Sequence, residues 1–190
     1  MSLMRWLMSA SSSMAIPGDS YWGNTPLSLP FDNSATDVSA LGQTVTVNSP
    51  MTFSSGQSRF GGYSLYNPTD NSSTANARIT ANATNAPLLG NYCYEGWLYV
   101  VTQVPAGTRT LVRGPANTAA GNDMFSLAQD TGGLLQFNMT NLALGATACS
   151  GNIAAIPGVW HFVTFQRSGS YLYCTANGRL ITSANVGTGT

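Results

Sequence analysis

Apolar and polar positions alternate with period two along much of this chain, most clearly between Ile156 and Ile181. Pro157-Gly158 is a turn dipeptide that sets up a strand from Val159 to Arg167. Ser168-Gly169-Ser170 is a short glycine-bearing hairpin loop, and Asn177-Gly178 is the strongest short hairpin signal, because a type I′ turn needs positive φ at both central residues. Val163 and Phe165 share one parity of the first strand, and Leu172, Cys174 and Ala176 one parity of the next, as in a sheet with one buried face. Tyr92 to Val101 predicts a second strong strand. Cys93, Glu95, Trp97 and Tyr99 alternate there with Tyr92, Tyr94, Leu98 and Val100, and two mostly apolar faces place it centrally in a sheet.

The rest of the chain carries weaker strand signals. Leu27, Leu29 and Phe31 alternate with Ser28 and Pro30, predicting a first strand near a sheet edge, closed by a turn at Asp32-Asn33-Ser34. Thr44 to Val47, Met51 to Phe53, Phe60 to Tyr66 and Ala77 to Thr80 follow, the last embedded in a loop region rich in Asn, Thr, Ser and Ala. The Gly61-Gly62 pair predicts a tight bend or a close backbone approach. Strands are also predicted over Thr110 to Arg113, Met124 to Ala128 and Leu134 to Met139, separated by Gly/Asn/Pro/Asp clusters. No segment sustains the helical period over about 12 residues, so the class is all-β, a sandwich of two antiparallel sheets.

Composition narrows the function. A chain of 190 residues is most simply one domain. Only 7% of residues are charged, against about 25% in an average globular protein. The seven cations are all arginine, balanced by six aspartates and Glu95, so there is no basic face for nucleic acid. No apolar run approaches the ~18 residues of a membrane span. Cys174 sits on an apolar parity and reads as a buried thiol, while pairing of Cys93 with Cys149 stays open. No Cys/His spacing suggests zinc, and no cofactor or metal is expected. At the N-terminus Arg5 interrupts the apolar residues, unlike a secretory signal. Met4, Trp6, Leu7 and Met8 instead read as an apolar assembly arm over residues 1–18 that docks on a neighbouring subunit, preceding a domain over 19–190.

Four segments resemble the laminin-G-like branch of the concanavalin A-like lectin/glucanase jelly rolls, in the form found in bacteriophage virion proteins. They are Asp19-Ser20-Tyr21-Trp22-Gly23-Asn24 with Leu29 to Asp32, Gly56 to Leu65, Tyr94 to Tyr99, and Val159-Trp160-His161-Phe162-Val163 through Asn177-Gly178. The resemblance implies a jelly roll with an N-terminal arm. It also implies one further strand after Ile181 that this sequence does not carry, which predicts that a neighbouring subunit or the N-terminal arm fills the exposed sheet edge.

Hydrolysis of glycosides needs two carboxylates, about 5–5.5 Å apart for retention and about 6.5–9.5 Å for inversion. Glu95 is the only glutamate and has no acid within three residues, so it reads as a strand residue. His161, the only histidine, shares the parity of Val163 and Phe165 and reads as a packing residue, not a base. No enzymatic activity is expected. Candidate glycan contacts are Tyr21, Trp22, Tyr171 and Tyr173, aided by Asp70, Asn122 and Asp123 in polar loops. The leading expectation is a non-enzymatic structural component of a phage virion, a capsid decoration or tail-fibre subunit that forms a homo-oligomer and contacts other virion proteins. The alternative is a lectin-like adhesion module for a host-surface glycan.

Overall fold

A computed structural model describes residues 2–5, 25, 27–68, 79–81, 91–102, 108–114, 116–117, 122–123, 125–141 and 146–187. Its strands run β1 Ser2–Arg5, β2 Val45–Val47, β3 Thr52–Ser54, β4 Ser64–Asn67, β5 Ile79–Ala81, β6 Tyr92–Val100, β7 Arg109–Arg113 and β8 Ala116–Asn117. They continue as β9 Asn122–Asp123, β10 Phe125–Gln129, β11 Leu134–Asn141, β12 Ala146–Ala154, β13 Trp160–Ser168, β14 Tyr171–Ala176 and β15 Arg179–Asn185. Every pairing is antiparallel, and no helix occurs among the described residues. The fold is an all-β sandwich of the jelly-roll-like kind.

One sheet has seven strands in the order β15-β14-β13-β6-β1-β4-β3, and the other four in the order β12-β11-β10-β7. The hairpins form as their turn residues dictate. Asn177 and Gly178 have φ of 51° and 77°, joining Ala176 to Arg179 in register, and Gly169 (φ 58°) opens the β13–β14 turn. Alternation sends Leu98, Val163, Phe165 and Leu172 of the large sheet inward against Leu127, Leu135, Phe137 and Met139 of the small one. Phe165 is the keystone ring. It stacks on Phe125 at 4.6 Å between centroids and lies 5.6 Å from Phe137.

The main differences from the sequence reading lie at the N-terminus, in the first third and at β12. Ser2–Arg5 takes the second of the two places expected for it, on the chain's own sheet and not on a neighbour: its backbone pairs with β6 on one side and β4 on the other. β1 thereby joins the run β15-β14-β13-β6 to the pair β4-β3, satisfying backbone groups that would otherwise form two open edges. Residues 27–31 are not a ladder strand. Pro30 has no N–H to give, Phe31 has φ of 55°, and the Ser28 N–H donates to the Asp37 carboxylate at 2.8 Å. Leu29 and Phe31 still bury, packing with Met51 and Leu65 into a second small core. The predicted turn at Asp32 forms, and its carboxylate explains the glycine pair. A Cβ on Gly61 would meet Asp32 Cγ at 2.6 Å, and the Gly62 N–H donates to Asp32 Oδ1 at 2.9 Å. β12, which lacks aromatic residues, is a strand the sequence signals did not reveal.

Asp37 ties down the segment around the second core. Its Oδ1 accepts from the Ser28 and Ser39 N–H groups at 2.8 and 2.9 Å, and its Oδ2 from the Ser39 hydroxyl at 2.8 Å and the Gln43 N–H at 2.6 Å. Burial pushes this carboxyl upward in pKa, but the donors together outweigh it and hold it below the usual 3.8.

Gln129 is the opposite case. It faces inward opposite Leu135, fully enclosed, and neither its amide oxygen nor its nitrogen has a partner among the described residues. An enclosed amide without hydrogen bonds opposes folding. Gln129→Met keeps the length and removes the polar atoms, so it should raise the urea midpoint, by about 1–2 kcal/mol in unfolding free energy. An unchanged or lowered midpoint would mean that the amide is satisfied in solution.

Candidate functional site

The outward parity of the large sheet carries the most concentrated chemistry. In β6 the outward residues are Cys93, Glu95, Trp97 and Tyr99, and in β13 they are Trp160, Phe162, Thr164 and Gln166. The antiparallel register sets Tyr99 opposite Trp160, Trp97 opposite Phe162, Glu95 opposite Thr164 and Cys93 opposite Gln166. Directly opposed side chains stand close enough for aromatic rings to touch. Tyr99 and Trp160 lie 5.2 Å apart and Trp97 and Phe162 5.0 Å apart, both tilted.

Loops and neighbouring strands extend this face. The turn between β3 and β4 brings Phe60 edge-on to Trp97 at 6.1 Å, and the Arg59 guanidinium sits 4.4 Å from the Trp97 ring centre and 5.2 Å from that of Phe60. A cation over an indole face at this distance is held by the ring quadrupole. On the other side Thr175 follows Thr164, their hydroxyls 2.8 Å apart, and then come Tyr173 and Tyr171. Those two rings are stacked at 6.0 Å, and Tyr171 is exposed. The result is half-buried aromatic rings bordered by hydroxyl, amide and guanidinium groups.

Glu95 lies within this face, half-buried, and burial raises its pKa. Its ladder neighbours are Thr164 opposite, with Cys93 and Trp97 along the strand, none of them a second carboxylate. Burial and then the Glu95 charge push the Cys93 thiol up to about 11, which leaves it a poor nucleophile. His161 faces the other way, into the core. Its Nε2 lies 3.3 Å from the Ile156 carbonyl and its Nδ1 3.4 Å from the Asn177 amide nitrogen. Because Asn177 Oδ1 already accepts from the Phe162 N–H at 2.8 Å, its nitrogen donates to Nδ1, and the proton belongs on Nε2. The ring props the Asn177-Gly178 turn. Among the described residues, no group of three or more His, Cys, Asp or Glu is placed to hold a metal ion.

Of the residues the sequence put forward, Tyr171 and Tyr173 stand together on this face. Asn122 and Asp123 lie in β9, paired with β8, not in an open loop. Met4 is in β1, opposite Leu98. Tyr21, Trp22, Asp70, Trp6, Leu7 and Met8 lie outside the described residues. The sequence reading missed Trp97, Tyr99, Trp160 and Phe162 as site residues. Their outward parity was visible in each strand, but only the β6–β13 register puts them in one patch. All three thiols are free, and Cys93 cannot reach Cys149, since one points outward from the large sheet and the other is buried in the core.

No protein-family model matches the chain, and no curated protein is significantly similar to it.

Proposed function

We propose that the chain is a non-enzymatic structural component of a bacteriophage virion, a capsid decoration or tail-fibre subunit on a lectin-like jelly roll, whose outer sheet face binds carbohydrate. The observation that carries the binding is the patch of Trp97, Phe162, Tyr99 and Trp160. Aromatic planes offer the apolar faces of sugar rings a surface to stack on, while the Thr164, Thr175, Gln166 and Arg59 side chains supply hydrogen-bonding groups at its border. Glu95 without a carboxylate beside it on the ladder suits an acceptor for hydroxyls better than a glycosidase pair. The virion setting is supported by the low charge, 7% of residues, and by the resemblance of the four sequence segments to phage-encoded laminin-G-like domains.

The test is a glycan array probed with the full chain, alongside Trp97→Ala and Trp160→Ala variants. Wild type should bind at least one glycan class, and each variant should weaken that binding by roughly tenfold or more, as loss of an aromatic anchor does. Binding by neither wild type nor variants, or equal binding by all, would remove the face from the proposal. Light scattering tests the assembly part, for which a homo-oligomer is the expected state and a monomer at all concentrations the contrary result.

A further inference from the structure

The seam where the two sheets meet holds a pair of buried thiols. Along β12 the inward positions include Cys149, opposite Met139, and Gly151, opposite Phe137. β12 is an edge of the small sheet, and it comes within 8 Å, Cα to Cα, of both β15 and β14 at the end of the large sheet. Glycine permits this approach. A Cβ on Gly151 would stand 3.0 Å from Ile181 Cγ2 and 3.0 Å from Thr182 Cβ. A register shift between Cys174 and Thr175 gives β15 an extra residue, Ile181, so that Ile181 and Thr182 both press toward Gly151.

Thr182 then links the two cysteines. It is the direct cross-strand partner of Cys174 and lies 3.6 Å from the Cys149 sulfur through its hydroxyl oxygen. Cys149 and Cys174 are 2% and 0% exposed. Burial, and next the Cys149 thiol beside it, push the Cys174 thiol well above its ordinary pKa. A disulfide closes when the Cα atoms stand about 4.4–6.8 Å apart, and the shared Thr182 neighbour within one core cluster brings both thiols to the same point of the seam.

We propose that Cys149 and Cys174 form a covalent staple between the two sheets, closed by thiol–disulfide exchange with a low-molecular-weight disulfide while the chain folds. The thiolate of one cysteine attacks the reagent's S–S bond, forming a mixed protein–reagent disulfide and expelling one reagent thiolate. The thiolate of the second cysteine attacks the protein sulfur of that mixed disulfide and expels the other. Two protons leave the cysteines, the two sulfurs are oxidised together by two electrons, and the reagent is reduced to two thiols. Once the sandwich has closed, the thiolate is scarce and shielded, so exchange is slow in either direction and the seam stays in the state in which it was sealed.

The test refolds the reduced full chain from urea with oxidised glutathione, then alkylates it in denaturant and maps peptides without reductant. Cleavage after Arg113, Arg167 and Arg179 places the two cysteines on separate peptides. The expected result is a linked pair of those peptides, a fall in free thiols from three to one, and a urea midpoint that moves up and returns when reductant is added. A Cys93→Ser variant should give the same link and leave no free thiol. Refolding to a chain with all thiols still free, one capped only by glutathione, or one whose link runs through Cys93 would overturn the proposal.

Discussion

Asp37→Ala should lower the unfolding free energy by about 4–5 kcal/mol, because hydrogen bonds to a charged acceptor contribute about 1.5–3 kcal/mol each, three backbone donors lose their partner at once, and water reaching the segment keeps the loss near the lower bound. Those donors belong to Ser28, Ser39 and Gln43, and the residues they hold position Leu29 and Phe31 in the second core. Asp37→Asn should recover only part of this, since its amide nitrogen would face an N–H in place of an oxygen. The pH dependence follows from the direction of the shift. With the folded pKa held below 3.8, the carboxylate's contribution is complete above that value. It is lost as pH falls through the folded pKa, where the unfolded chain has already taken up the proton. Urea titrations of wild type and Asp37→Ala should therefore differ most near neutrality and converge in acid. Equal stability at pH 7 would mean that water replaces the carboxylate without loss.

Gly114→Ala should be the second large effect. A Cβ at Gly114 would sit 2.3 and 2.4 Å from Cε1 and Cδ1 of Phe125, well inside contact distance. Phe125 cannot simply swing away, because its ring stacks on Phe165 and lies 4.6 Å from Tyr94. The Gly114 N–H also donates to the Phe125 carbonyl at 2.9 Å, fixing the backbone at the same place. Overpacking of this kind typically costs about 1–3 kcal/mol, and the rigidity of the stack puts this case at the upper end. The double variant Gly114→Ala with Phe125→Leu tests the cause. If the clash is with the ring, the second change should cancel most of the penalty of the first, whereas additive losses would assign it to the backbone.

The two sites differ in how far the sequence announced them. Nothing in the spacing of Ser28, Asp37, Ser39 and Gln43 marks a four-donor carboxylate, because the donors are mostly main-chain groups whose direction depends on the path between them. The Asn177-Gly178 and Gly169 turns were legible, since positive φ is a local steric requirement that few residues meet. The aromatic face was half legible. Trp97 and Tyr99, like Trp160 and Phe162, could be placed on one parity of their strands. That they share one half-buried patch depends on a pairing between segments more than sixty residues apart, as with Tyr99 and Trp160. β12 shows the converse. Its run Ala-Thr-Ala-Cys-Ser-Gly-Asn-Ile-Ala has weak strand propensity, yet β11 pairs with it throughout, and its small residues let the sheets close at the seam.

By itself, the amino-acid order determined the all-β class, the hairpins from Trp160 onward and the inward parity of β6 and β13, because alternation and turn sterics act within a few residues. Tertiary structure alone decided that Ser2–Arg5 would run between β6 and β4, that residues 27–31 would fold around a carboxylate instead of joining a ladder, and that Cys149 would meet Cys174 in place of Cys93. Each of these turns on which distant backbone or side-chain group fills a given place, a competition settled by packing and hydrogen-bond satisfaction across the whole sandwich.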